Sequence, residues 1–283
     1  MGPYMSQPKT DKKIIADQQN GYLKFAMVDM QGWRNTMEDG HISDINVDEE
    51  TSIFGIFDGH GGHEVAKFGK AELIKLKNNK INDQNNHNND YDEDSVVYAG
   101  CTANVALIHK KQLYVANSGD SRTVIYNKGN PIEMSIDHKP DNPDEKQRIT
   151  KAGGFVSDGR VNGNLNLSRA FGDFEYKKGQ NGCRPHDYII TAFPEVKTKQ
   201  LTNDDKFMLM GCDGIWECMN NQDLGKFCQS RIEKNMSLKD ILVDLLDTIL
   251  AKDTASNFFF FKLILILDGV GCDNMTAILV QFK

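Results

Sequence analysis

Between residues 101 and 127 three apolar segments, CTANVALI, QLYVANS and RTVIYN, follow one another with only three residues in each gap. Parallel strands need a crossover of roughly a dozen residues, so connections this short argue for antiparallel hairpins. YLKFAMVDM (22–30), TSIFGIF (51–57), DYIITAF, EVKTKQL, KFMLMG and MTAILVQF (275–282) read as further strands. Helical signals interrupt them. Gly62 to about Lys77 is one; DNPDEKQRITKAGG, with Asn142 as cap, Pro143 in the first turn and Gly153 as stop, is a second. The third is SLKDILVDLLDTILAKD, where Ser237 and Asp240 form a capping-box-like start and Leu238, Ile241, Leu242, Leu245, Leu246, Ile249 and Leu250 make an apolar stripe. Strands in hairpins with helices grouped, not alternating, define an α+β chain.

A chain of 283 residues holds one large domain or two ordinary ones. We expect a flexible polar tail over 1–20 and a single catalytic domain over 21–283, with an Asn-rich low-complexity loop at 78–97 and an apolar insert at 256–267. Acids outnumber bases 40 to 33, for a net charge of −7, which argues against nucleic acid or an anionic membrane as partner. The six cysteines show no CxxC spacing and no signal peptide or spanning segment is evident, so reduced thiols in cytoplasm or nucleus are expected. Cys212 and Cys272, each just before an Asp, read as small apolar residues at strand ends. MGPYMS matches the loose pattern for myristoylation of Gly2, and Pro3 beside the acceptor glycine argues against it.

The chemistry sits at the strand ends. IFGIFDGHGG runs a buried strand into Asp58, Gly59 and His60; MQGWRNTMEDG supplies Arg34, Glu38 and Asp39; VANSGDSR, FMLMGCDGIWE and GVGCDNMTAILV add Asp120, Asp213 and Asp273. Singly, each has an ordinary reading: Arg34 as a surface ion pair, His60 as a turn residue, Asp39 as a cap. Together, five acid-bearing strand ends that converged would form a pocket of like charges that only divalent cations make tolerable. Oxygen-only ligands without a Cys or His pair select Mg²⁺ or Mn²⁺ over Zn²⁺, and paired ions of this kind recur in phosphoryl hydrolysis.

RNTMED, FGIFDGHGG, AGCTANVALI, LYVANSGDSR, DHKPDNPDEKQRI, GGFVSDGRVNGNLNLSRAFGD, MGCDGIWE and GCDNMTAILV together resemble the ordered motifs of the metal-dependent protein phosphatases of type 2C. The resemblance implies two packed antiparallel sheets flanked by helices, an α/β/β/α sandwich. It also implies hydrolysis of phosphoserine and phosphothreonine in proteins by a water or hydroxide bridging two Mg²⁺ or Mn²⁺ ions, without a phosphoenzyme. Asp58 would bridge both ions, Asp213 and Asp273 would ligate one, the Gly59 carbonyl and Glu38 would serve the other, and Asp39 would hold metal-bound water. Asp120 matches the position of a third, weaker ion; Arg34 would grip the substrate phosphate and His60 would protonate the leaving oxygen. His138 and Arg169 would have supporting roles. A monomer acting on phosphoproteins is expected.

Three departures stand out. Glu217 replaces an Asp of the DGIWD motif, which would weaken the third ion. Only 36 residues separate Gly62 from Ala99, so one helical layer is expected to be shortened and apolar surface bared. Ten residues from Phe258 to Leu267, nine of them apolar, are too few to span a bilayer. The shortened layer keeps a second reading open, a non-catalytic phosphoprotein- or partner-binding module on the same fold; a third is a phosphohydrolase acting on small molecules.

Overall fold

The computed structural model of the chain describes residues 4–77, 98–178, 184–254 and 270–283. The Asn-rich loop, the apolar insert, Gly2 and Cys183 lie outside them. In chain order the strands are β1 Tyr4–Gln19, β2 Leu23–Arg34, β3 Gly40–Asp44, β4 Thr51–Phe57, β5 Gly59–His60, β6 Gly100–Cys101, β7 Ala103–His109, β8 Gln112–Ser118, β9 Arg122–Asn127 and β10 Asn130–Glu133. They continue as β11 Val156–Ser157, β12 Arg160–Val161, β13 Phe171–Gly172, β14 Glu195–Gln200, β15 Asp205–Gly211 and β16 Met275–Phe282. The helices are α1 Glu64–Lys77, α2 Pro143–Lys151, α3 Asp213–Trp216, α4 Asn221–Ile232 and α5 Leu238–Ile249. The fold is α+β, and the strand pairings described are antiparallel apart from one isolated bridge between Arg169 and Thr191.

Two compact units divide the chain. The first takes Met1–Met37, Thr123–Met134 and Leu201–Lys283. Its six-stranded sheet has the order β1-β2-β16-β15-β9-β10. Residues 25–30 of β2 and 275–280 of β16 are buried without interruption, Phe25, Met27, Ile278, Leu279 and Val280 among them. The β9–β10 hairpin turns at Lys128 and Gly129, both with positive φ, as a two-residue reversal demands. α5 starts as its sequence dictates: Ser237 accepts the Asp240 N–H at 3.1 Å, and the stripe from Leu238 to Ile249 is buried.

One expectation fails here. Residues 4–19 are not a tail but β1, paired antiparallel with β2 through several irregularities. Asp17 in β1 accepts the N–H groups of Leu238 and Lys239 at 3.1 and 2.8 Å, closing the first turn of α5. β1 is an edge strand carrying Pro8 and several lysines, and such edge devices erase the apolar alternation by which strands are recognised.

The second unit takes Glu38–Arg122 and Ser135–Gln200. It holds a five-stranded sheet, β14-β8-β7-β4-β3, and a small three-stranded one, β13-β6-β5. CTANVALI and QLYVANS form the expected hairpin as β7 and β8, but QLYVANS and RTVIYN do not, since β8 belongs to this sheet and β9 to the six-stranded one. α2 begins at Pro143 after Asn142, whose side chain bonds the Asp137 carbonyl at 2.7 Å instead of capping the helix. DYIITAF, expected as a strand, makes only the bridge at Thr191: Arg148 takes the Tyr188 carbonyl and Ala170 N–H takes that of Thr191, so no ladder partner remains.

Candidate active site

In the second unit, β4 delivers Asp58 to its end and Thr102 fixes it there. The Asp58 N–H donates to Thr102 Oγ1 at 3.0 Å, the Thr102 N–H donates to the Asp58 carbonyl at 2.8 Å, and Ser121 Oγ holds the same hydroxyl at 2.7 Å. Gly40 pairs with Phe57 across β3 and β4, which sets Asp39 beside Asp58 one step beyond the ladder. Their carboxylate oxygens lie within 4.8 Å of each other. Glu38 comes in from the same turn: its Oε2 accepts the Gly62 N–H at 3.3 Å, and its carbonyl lies 2.5 Å from where a Cβ on Gly59 would stand. Only glycine permits that approach.

Asp120 follows β8 and is buried. Lys139 takes its Oδ2, while Oδ1 has no hydrogen-bond partner among the described residues. His138 supports this turn, its Nδ1 accepting the Gly119 N–H at 3.2 Å, and burial together with the Arg169 charge pushes its pKa down to about 4. Burial opposes ionisation of the neighbouring Glu145. Hydrogen bonds from Arg169 and Ser168 and the Arg148 charge nevertheless hold that carboxyl down at about 2.

His60, on β5, faces a residue that motif reading passes over. Its Nε2 lies 3.0 and 2.9 Å from the two carboxylate oxygens of Asp173, just after β13. Asp173 closes the SRAFGD stretch; the signal available was its position behind a glycine, the same grammar as Asp120.

In the first unit Arg34 ends β2, Asp213 opens α3 after β15, and Asp273 precedes β16. Since β16 lies between β2 and β15, the three share one end of that sheet. Gly214 packs so closely on the Asn274 carbonyl and Asp273 Cβ that a side chain there would collide, and Gly32, at φ 68°, does the same against the Asp273 carbonyl. Asn274 Nδ2 ties the turn to the Gln31 and Thr36 carbonyls at 2.8 and 3.0 Å. Arg34 Nη2 reaches Asp273 Oδ2 at 2.5 Å. Burial works against the guanidinium charge, but the Asp273 carboxylate outweighs it and raises the Arg34 pKa.

Each unit thus holds part of the expected ligand set, and that set is all oxygen. With Asp39 and Asp58 crowded together and one Asp120 oxygen buried without a donor, these residues fit hard divalent cations. Cys212 and Cys272 are buried strand-end thiols, as expected. Among the described residues no helix is long and apolar enough to cross a membrane.

Antiparallel sheets carrying acids at their strand ends describe a protein built to hold metal ions. The family model described as protein phosphatase 2C matches residues 23–258. Over its full length the chain is 49% identical to the whole of probable protein phosphatase 2C 6 of Paramecium tetraurelia, and 48% identical to the whole of probable protein phosphatase 2C 5 of the same organism. A phosphatase structure from Toxoplasma gondii superposes with a TM-score of 0.71 over 96% of each chain at 21% identity, a likeness of fold. The chain belongs to the protein phosphatase 2C family, a metal-dependent family of protein-serine/threonine phosphatases.

Proposed function

We propose that the chain hydrolyses phosphoserine and phosphothreonine in protein substrates by transferring the phosphoryl group directly to water, releasing phosphate and the free hydroxyl, with two Mg²⁺ or Mn²⁺ ions and without a phosphoenzyme. Asp58, Glu38 and the Gly59 carbonyl, with Asp213 and Asp273, are the residues that would hold the ions; Asp39 would hold a bound water, and Asp120, with one oxygen already on Lys139, a third and weaker ion. When bound, such ions activate water at neutral pH and neutralise phosphoryl charge. Arg34 grips the phosphate through its planar fork. His60 gives a proton to the departing serine or threonine oxygen. The catalytic domain includes β1 as well as residues 21–283.

The observation that carries this reading is the fixing of Asp58 by Thr102 beside Asp39: two acids held within 4.8 Å at the end of a rigid sheet invite a cation. Two of the described thiols fit direct hydrolysis. Burial pushes Cys218 and Cys228 up to about 12, too high to serve as nucleophiles.

The test is phosphate release from a phosphothreonine peptide with Mn²⁺, with Mg²⁺ and with EDTA. Turnover that needs the metal supports the reading; none from a folded, Mn²⁺-binding chain would point to a binding module instead.

A further inference from the structure

We propose that Asp173 is the positioning residue for His60: it holds the ring by Nε2–H and thereby makes Nδ1 the nitrogen that delivers the proton to the leaving group. The inference rests on the reading of His60 as the acid.

The geometry is built around a missing side chain. In the three-stranded sheet, His60 on β5 pairs with Gly100 on β6, and Gly100 pairs with Gly172 on β13. His60 and Asp173 therefore approach each other across Gly100, whose Cβ would collide with both His60 Nε2 and Asp173 Oδ2. Asp173 is itself set with care. Its backbone is left-handed, at φ 49° and ψ 45°, and its N–H donates to the Ala99 carbonyl at 2.9 Å. Asp adopts that conformation more readily than most residues. Here the turn carries the carboxylate under the imidazole: its side chain is 4% exposed, that of His60 27%. Together they wall a cavity of about 190 Å³ with Tyr98, Asn164, Leu165 and Tyr176.

A carboxylate accepts and does not donate, so the hydrogen on His60 must sit on Nε2. A general acid needs a second proton, and Nδ1 is the ring position left for it. As the P–O bond breaks, its electron pair goes to the leaving oxygen, which takes the Nδ1 proton. The ring keeps its hydrogen on Nε2, the tautomer that the Asp173 contact favours.

The experiment compares wild type, His60→Ala, Asp173→Asn, the double variant and Gly100→Ala in the full chain with saturating Mn²⁺. Substrates are a phosphothreonine peptide and an aryl phosphate whose leaving group needs no proton. His60→Ala is expected to lose on the order of 10²-fold in kcat on the peptide and far less on the aryl phosphate. Asp173→Asn should show the same bias with a loss of roughly tenfold or more, and the double variant should be no worse than His60→Ala. Gly100→Ala, which pushes the two side-chain ends apart while keeping both, should copy Asp173→Asn and covers the case in which the Asn variant fails to fold. Nitrogen-15 spectra of the His60 ring should report Nε2–H in wild type and a tautomer mixture in Asp173→Asn. A substrate-biased His60→Ala beside unbiased Asp173→Asn and Gly100→Ala would overturn the positioning role alone. An unbiased His60→Ala would overturn the acid assignment and this inference with it.

Discussion

Arg34 Nη2 lies 2.5 Å from Asp273 Oδ2, so the cation assigned to substrate phosphate rests on an acid assigned to a metal ion. Loading the metal and freeing the guanidinium are then one and the same exchange. Arg34→Leu should tighten Mn²⁺ binding, by up to about fivefold given that a partly exposed pair is worth about 1 kcal/mol at most. The same variant should lower kcat/KM on a phosphopeptide by roughly tenfold or more. Electron paramagnetic resonance of free Mn²⁺ reads the first effect and steady-state kinetics the second. Weaker Mn²⁺ binding would contradict the exchange.

Asp58→Asn is expected to abolish metal-dependent turnover while leaving the fold intact. In EDTA its melting temperature should match or exceed wild type, because the repulsion from Asp39 within 4.8 Å is relieved. A variant that melts normally and still turns over would remove Asp58 from the ligand set.

Acid should destabilise the chain in two stages. Burial and Arg169 depress His138 to about 4, so between its ordinary 6.5 and that value the unfolded chain binds a proton the folded one refuses. The contribution is whole above pH 6.5 and fades as pH falls towards 4. Glu145, despite its burial, is held at about 2 by Arg169, Ser168 and Arg148, so its contribution is whole above 4.5 and fades as pH falls towards 2. Every tenfold difference in proton affinity between the folded and unfolded chain is worth roughly 1.4 kcal/mol. Urea melts from pH 8 downwards, with His138→Gln removing the first stage only, are the check.

Asp17→Ala should cost about 1 kcal/mol, the usual worth of a helix cap, because Leu238 and Lys239 lose their acceptor. Deleting residues 1–20 should cost more, since β2 would also lose its edge partner. A urea midpoint unchanged by the deletion would return these residues to the status of a tail.

What the sequence disclosed follows from where information is local. MTAILVQF became β16 without adjustment, and Ser237 and the Pro143 turn started their helices, because burial period and first-turn chemistry are written in neighbouring residues. The acids at strand ends were legible for the same reason. β1 was not: its partners are β2 and the start of α5, and its own residues are mostly exposed. DYIITAF reads as a strand from its apolar run, and Ile190 is buried, yet side-chain and loop donors take its carbonyls. Asp173 escaped because its meaning depends on Gly100 and His60, and only a register shared by three strands brings those together.

The position of β16 also has a bearing on when the enzyme comes into being. β2 is flanked by β1 and by a strand made of Met275–Phe282, residues that are synthesised long after it. While the ribosome still holds those residues, the sheet that carries Arg34 lacks its centre and Asp273 has no strand to mount it. A chain that has not yet presented β16 therefore lacks that end of the site, and β2 waits with one edge unpaired until β16 emerges.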